Sequence, residues 1–204
     1  MNKKLIQLML LCAVLSTTVL FTACKKGEND PGISLRSRKS RVVGEWKLRK
    51  GTVKSVSNGS VETTTYDNDK GTIADNLGTD KFTYSMEYIF EKDGTYKYTA
   101  TETYDGDTPS IEKGEGTWSF VEKNKSADLR NKEAILLTST NYSYSYNGNS
   151  STSTDSNPTD GEMWIIDELS NDVMVVKYAS KSTSNSGGSS TSFEIDAELT
   201  FWAK

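Results

Sequence analysis

The sequence predicts an all-β fold, an antiparallel up-and-down meander that closes into a β-barrel of about eight or nine strands. Three observations predict it. Apolar residues recur at every second position, as in Phe82, Tyr84, Met86, Tyr88 and Phe90, or Phe193, Ile195, Ala197, Leu199 and Phe201; that is the period of a half-buried strand. Turn signals separate these runs, Lys92-Asp93-Gly94 being the clearest, because Asp-Gly supplies the positive backbone angles of a tight hairpin. A simple meander also leaves two exposed edges unless its last strand pairs with its first, and closure removes both. With about eight strands the interior holds side chains plus, at most, one small ligand.

In chain order, the first element is a leader. Lys3 and Lys4 precede an almost unbroken apolar run from Leu5 to Leu15, followed by Ser16, Thr17 and Thr18 and then Leu20-Phe21-Thr22-Ala23-Cys24. These are the parts of a secretory signal peptide, over residues 1–23; the alternative is an uncleaved membrane-spanning helix from Leu5 to Ala23, just long enough to cross a bilayer. A small residue before a cysteine resembles the lipobox of bacterial lipoproteins, with Phe21 where leucine is usual. The resemblance implies that Cys24 is acylated and becomes the new N-terminus. Two or more acyl chains give a stable membrane anchor where one does not. Lys25 follows the cysteine where an aspartate would favour inner-membrane retention, so an outer-membrane lipoprotein is expected, facing the periplasm or the cell surface. Residues 24–41 read as the lipidated cysteine and a flexible tether. Its basic cluster (Arg36, Arg38, Lys39, Arg41) suits either anionic headgroups or a solvated linker entering a short helical turn.

The barrel domain is expected over residues 42–204. Val43–Lys54 is a first strand with Trp46 and Leu48 on one face, and Ser60–Tyr66 a β-branched second. Asp67–Lys81 reads as a polar connection with room for a brief helix. Phe82–Glu91 and Thr95–Tyr104 form a hairpin, with Tyr96, Tyr98 and Ala100 sharing a face. Asp105–Lys113 is a loop, and Gly114–Val121 a strand with Trp118 and Phe120 in phase. Glu133–Tyr146 begins apolar and ends in the row Tyr142, Tyr144, Tyr146. Asn147–Gly161 is a Ser/Thr/Asn-rich loop. Met163–Leu169 and Val173–Ser180 form a hairpin around Ser170-Asn171-Asp172, Lys181–Ser190 a second loop, and Thr191–Ala203 the closing strand.

The opening Val43-Gly44-Glu45-Trp46-Lys47-Leu48 resembles the Gly-x-Trp start of lipocalins. Tyr88-Ile89-Phe90 before Asp93-Gly94-Thr95-Tyr96, Gly116-Thr117-Trp118 and the Ile165–Val175 hairpin are similar to lipocalin-like domains of Bacteroidota lipoproteins. The resemblance covers residues 42–204. It implies a lipocalin-like barrel with Gly44 and Trp46 at its floor. Lipocalins usually place an arginine near the last strand over the opening tryptophan, and this chain has none after Arg130.

Chemistry is narrowed by what the chain lacks. It contains no histidine and only two cysteines, of which Cys12 leaves with the leader and Cys24 is the anchor. Ser-His-Asp and Cys-His sites and histidine-based zinc sites are thereby excluded. No cofactor and no enzymatic activity are expected. Loss of Lys3 and Lys4 leaves 22 of the 24 basic residues against 28 acidic ones, a balance that disfavours nucleic acid. Glu194, Asp196 and Glu198 share a strand face, which suits a glycosidase pair or, more simply, the solvent side of an amphipathic strand. Asp67-Asn68-Asp69-Lys70-Gly71 starts like a calcium loop, yet Gly71 and Gly78 stand where later ligands belong.

Candidate ligand-binding residues are the aromatic faces: Tyr84, Met86, Tyr88 and Phe90, then Tyr96 and Tyr98, then Tyr142, Tyr144 and Tyr146. The last row is either a platform for a sugar or other flat ligand or cross-strand packing. Two functions follow. One is a membrane-anchored module holding a small apolar or sugar-like ligand. The other is a structural or interaction module of the envelope whose barrel is filled and whose loops meet a protein or glycan. The membrane, through Cys24, is the one partner expected under both.

Overall fold

The computed structural model describes residues 37–122, 133–154, 161–186 and 189–204. The expected signal peptide, Cys24 and the expected tether as far as residue 36 lie outside these described residues. A short helix, α1 (Arg38–Val42), leads into eleven antiparallel strands: β1 (Gly44–Ser57), β2 (Ser60–Asp67), β3 (Lys70–Ala74), β4 (Thr79–Phe90), β5 (Thr95–Tyr104), β6 (Ser110–Val121), β7 (Glu133–Tyr146), β8 (Asn149–Thr154), β9 (Glu162–Leu169), β10 (Val173–Ser186) and β11 (Ser189–Ala203). Ten of them form a closed barrel, and β8 lies outside the ring on the edge of β7.

Closure rests on β1. Its first residues pair with both β4 and β11, Trp46 lying opposite Tyr88 on one side and Ala203 on the other. At this lower end the ring runs β1-β4-β5-β6-β7-β9-β10-β11 and back to β1. Higher up, the β2–β3 hairpin is wedged between β1 and β4. Its tip falls at the point where the β1–β11 register slips past Arg49. There the Asn68 N–H donates to the Arg49 carbonyl, and the Tyr84 N–H donates to the Asp69 carbonyl at 2.8 Å. The backbone groups released by the splitting strands are thus satisfied by the wedge. Asn68 adopts a positive φ of 59°, a conformation asparagine tolerates better than most residues.

The wedge corrects the reading of residues 67–81 as a connection. Those residues contain β3 and the start of β4, and 67–71 form a hairpin turn. Two other predicted loops also carry strand: β8 lies within 147–161, and β10 and β11 extend into 181–190. All are poor in aliphatic residues, so alternation in hydrophobicity could not reveal them.

The floor is a packed aromatic layer. Tyr88 lies against Phe90, Trp164 and Phe201 at centroid distances of 5.8, 5.0 and 5.8 Å. Trp164 stacks on Phe201, and Phe90 meets Trp118 edge-on. Trp46, Trp164, Phe90 and Phe201 are all buried.

Helix α1 closes this end from outside. Ser37 caps it by accepting from the Ser40 N–H at 3.1 Å, as N-cap serines do. Val42 is fully buried, and its carbonyl accepts the Trp46 indole N–H at 2.8 Å. Gly44, with φ of 143°, makes the bend from helix into strand that a side chain would oppose. Residues 38–41 therefore belong to the barrel rather than to a tether. Arg38 pairs with Glu133 at 2.5 Å, both almost wholly buried, and Arg41 donates to the Leu169 carbonyl. Neither is available to headgroups. The floor arginines come from ahead of the first strand, not from near the last.

Removing one partner of a buried ion pair strands the other charge, at a cost of about 3–5 kcal/mol. Glu133→Ala is therefore expected to lower unfolding free energy by about that amount in urea at pH 7. The double variant Arg38→Met/Glu133→Leu should stay close to the parent, since apolar replacement of a whole buried pair is often neutral.

Candidate functional site

Above the aromatic floor the barrel is not filled. Strand alternation and register decide what faces inward. Tyr98 of β5 lies opposite Gly114 of β6, and Ala100 opposite Glu112. The same inward phase carries Gly116 and Trp118, with Trp118 opposite Leu137. On β9 the inward phase holds Glu162 opposite Leu137 and Trp164 opposite Ile135. On β10 and β11 it places Tyr178 opposite Ala197 and Val176 opposite Leu199.

These residues surround a partly enclosed cavity of about 210 Å³, bounded by Met86, Tyr88, Tyr96, Tyr98, Glu112, Leu137, Ser139, Glu162, Trp164, Tyr178 and Leu199. Broader hollows of about 410 and 650 Å³ lie around Lys97, Lys113 and Thr152 and around Lys81, Thr83 and Thr103. Those side chains occupy the outward phase, so these hollows are troughs on the coiled outer surface. The lumen is the better candidate, because its walls converge from several strands.

One close approach positions the chemistry. The Tyr98 ring lies on Gly114, where an added Cβ would stand 2.2 Å from Cε1. From there the Tyr98 hydroxyl donates to Glu112 Oε1 at 2.6 Å, a short charge-assisted bond. A side chain at position 114 would push the ring away. The Gly71 and Phe82 pair repeats the device higher in the barrel, at 2.1 Å from the ring.

The lumen is unfavourable to negative charge. Burial raises the phenol groups of Tyr84, Tyr88, Tyr98 and Tyr178, with nearby carboxylates adding to the rise. Tyr66 and Tyr104, near the mouth, are pushed up to about 12 for the same first reason. All are neutral hydroxyls at physiological pH, able to donate and accept but not primed to attack. Burial also raises Glu162, partly opposed by the Trp164 indole nearby. Glu162 is nonetheless open to solvent. Protein surrounding a wetted carboxylate is the arrangement of a side chain hanging into a lumen. Trp164 itself is buried, and its indole N–H finds no partner of good hydrogen-bond geometry. The Trp46 and Trp118 indoles, by contrast, donate to the Val42 and Glu91 carbonyls.

Among the aromatic candidates, Met86, Tyr88, Tyr96 and Tyr98 line the cavity. Phe90 does not: it is 1 % exposed and sealed in the floor. Tyr84 sits higher, its ring 4.5 Å from that of Tyr66. Tyr142 and Tyr144 lie on the inner face opposite Gly114 and Glu112, but the β7–β8 hairpin flares and leaves this row between 36 and 39 % exposed. Its neighbours on β8 are Ser153, Ser151 and Asn149, so the row is a bare wall near the mouth. Gly44 and Trp46 are at the floor. Glu112, Ser139, Glu162, Trp164 and Tyr178 were not among the sequence candidates. The two glutamates share the phase of Trp118 and of Trp164, a signal that hydrophobic scanning passes over. Glu194 and Glu198 face outward and pair with Lys181 and Lys177.

A family model matches residues 25–154, which is more than half of the chain. The chain belongs to the family described as Domain of unknown function (DUF5004). In this DUF5004 chain the match takes in β1 to β8, including Tyr98 and Glu112, while Glu162 and Trp164 lie beyond it. A search of curated proteins finds no match.

Because burial raises the Glu162 carboxyl from its ordinary value in the folded protein, its ionisation opposes folding. That penalty is absent below about pH 4 and grows as pH rises through the shifted value. Glu162→Gln should therefore unfold at a higher temperature than the parent at pH 7, and the gap should close towards pH 4 in a calorimetric series.

Proposed function

We propose that this protein is a membrane-anchored extracytoplasmic lipoprotein whose barrel binds a small polar, sugar-like ligand in its upper lumen. The observation that carries the reading is the cavity itself, walled by phenols, an indole and two carboxylates above a solid floor. Its lining offers aromatic faces and many hydrogen-bonding tips, the combination that suits a compact hydroxylated molecule. At about 210 Å³ it is smaller than the roughly 300–1,000 Å³ of drug-sized sites, so a long apolar chain is disfavoured. Raised phenols and the absence of histidine from the whole chain leave no activated nucleophile in the lumen, which favours binding over catalysis. The anchor rests on the leader and Cys24, and places the barrel at the outer membrane, facing the periplasm or the cell surface.

The filled-barrel reading of an interaction module has support in the floor layer and in a second cluster higher up, where the rings of Tyr66, Phe82, Tyr84 and Tyr104 pack together.

The test is native mass spectrometry of the full chain extracted from membranes of its own host. A stoichiometric mass beyond the lipid anchor, lost in Ser139→Tyr because that side chain fills the lumen, is the expected result. A bare protein, with Ser139→Tyr indistinguishable from the parent, would overturn the binding role. Cys24→Ser should move the protein from the membrane to the soluble fraction; retention in the membrane would contradict the lipid anchor.

A further inference from the structure

Charge is divided between the two faces of the sheet. On the outer face, carboxylates meet lysines: Lys177 bridges Asp167 and Glu198, Lys181 meets Glu194, and Lys204 meets Glu87. The inner face differs. Glu102 lies opposite Tyr84, Glu112 opposite Ala100 and Glu162 opposite Leu137, all in the inward phase. Nearer the rim, Glu62 lies opposite Ser55 and Asp80 opposite Ile73, in the same phase. Every lysine on the described strands takes the outward phase. Arg38 and Arg41 reach the floor from α1, where Glu133 and the Leu169 carbonyl hold them. Among the described residues, no lysine or arginine pairs with Glu102, Glu112 or Glu162.

Low-dielectric walls bearing one sign of charge focus the field within a cleft. Aromatic faces in the same space attract cations through their quadrupoles. The buried Trp164 indole lies beside Glu162 at the base of the cavity. A metal ion is disfavoured, because no group of three or more metal-ligating side chains occurs among the described residues. We infer that the upper lumen selects a compact organic cation, an ammonium group on a small hydroxylated frame. The ammonium lies between Glu112 and Glu162 against the tyrosine faces. This rests on the ligand-binding reading above and adds its chemical class. Burial of Glu162 raises its pKa, as expected of a carboxylate whose charge is not offset within the protein; a bound cation would offset it. The inward carboxylates repel an anion.

Three sugars with the same frame and different charge provide the test: glucosamine, N-acetylglucosamine and glucuronate, titrated into the full chain at pH 7 in low salt by calorimetry. Glucosamine should bind at least about tenfold more tightly than N-acetylglucosamine, with glucuronate undetectable. Glu112→Gln/Glu162→Gln should erase that preference while keeping the parent near-ultraviolet circular dichroism. Equal affinities, or a preference for glucuronate, would overturn the cation selectivity and leave the binding role standing. If none of the three binds while native mass spectrometry retains a ligand, the inferred class is wrong and the binding role holds. If neither shows a ligand, both fail.

Discussion

The pairing of β1 with β4 on one side and β11 on the other is the constraint on which the rest of the molecule depends. A long antiparallel meander with free edges would expose unpaired N–H and C=O groups to any passing strand. Here the first and last strands pair from Trp46 to Ser57, with one slip at Arg49, and the ring has an inside. The aromatic layer at the floor follows from that closure. Trp46, Phe90, Trp164 and Phe201 come from four different strands and meet only because the ring brings them together. Helix α1 then seals the same end, fixing Val42, Trp46 and the Arg38–Glu133 pair in one block.

Closure at the floor also explains why the upper half is open. The β2–β3 wedge adds two strands above the level of Arg49, and the β7–β8 hairpin turns away from β9. More strands at nearly constant spacing mean a wider ring, and small residues, Gly114, Gly116 and Ser139, stand on one side of its wall. The lumen is what remains between a fixed floor and a widening wall. Tyr98 lies over Gly114 and beside Tyr88, which holds its hydroxyl in reach of Glu112.

Where the sequence was legible, hydrophobic alternation made it so. The strands rich in Phe, Tyr, Trp, Ile and Leu declared themselves, as did the Asp93-Gly94 turn and the closing strand opposite β1. Residues 70–74 and 149–154 did not, because Lys-Gly-Thr-Ile-Ala and Asn-Ser-Ser-Thr-Ser-Thr carry almost no apolar period; their pairing is decided by neighbours. In the site, Met86, Tyr88, Tyr96 and Tyr98 were legible as one aromatic face. Phe90 was indistinguishable from them by pattern, since depth along the barrel depends on register across several strands. Glu112 and Glu162 were illegible for the opposite reason: an inward carboxylate breaks the alternation that marks a strand face. Arg38 and Arg41 read as part of a polar tether because a five-residue helix has too few positions to show which side is buried.

Closure is the claim to test first, because the floor, the lumen and the charge division all assume it. Residue-resolved amide hydrogen exchange on the full chain measures it directly. The hydrogen-bonded amides of β1 between Trp46 and Leu48, and of β11 between Leu199 and Phe201, should exchange only through global unfolding, tracking stability as urea is added. Exchange there at the rates of a fraying edge strand, independent of global stability, would mean that the ring is open, and the lumen would lose its basis.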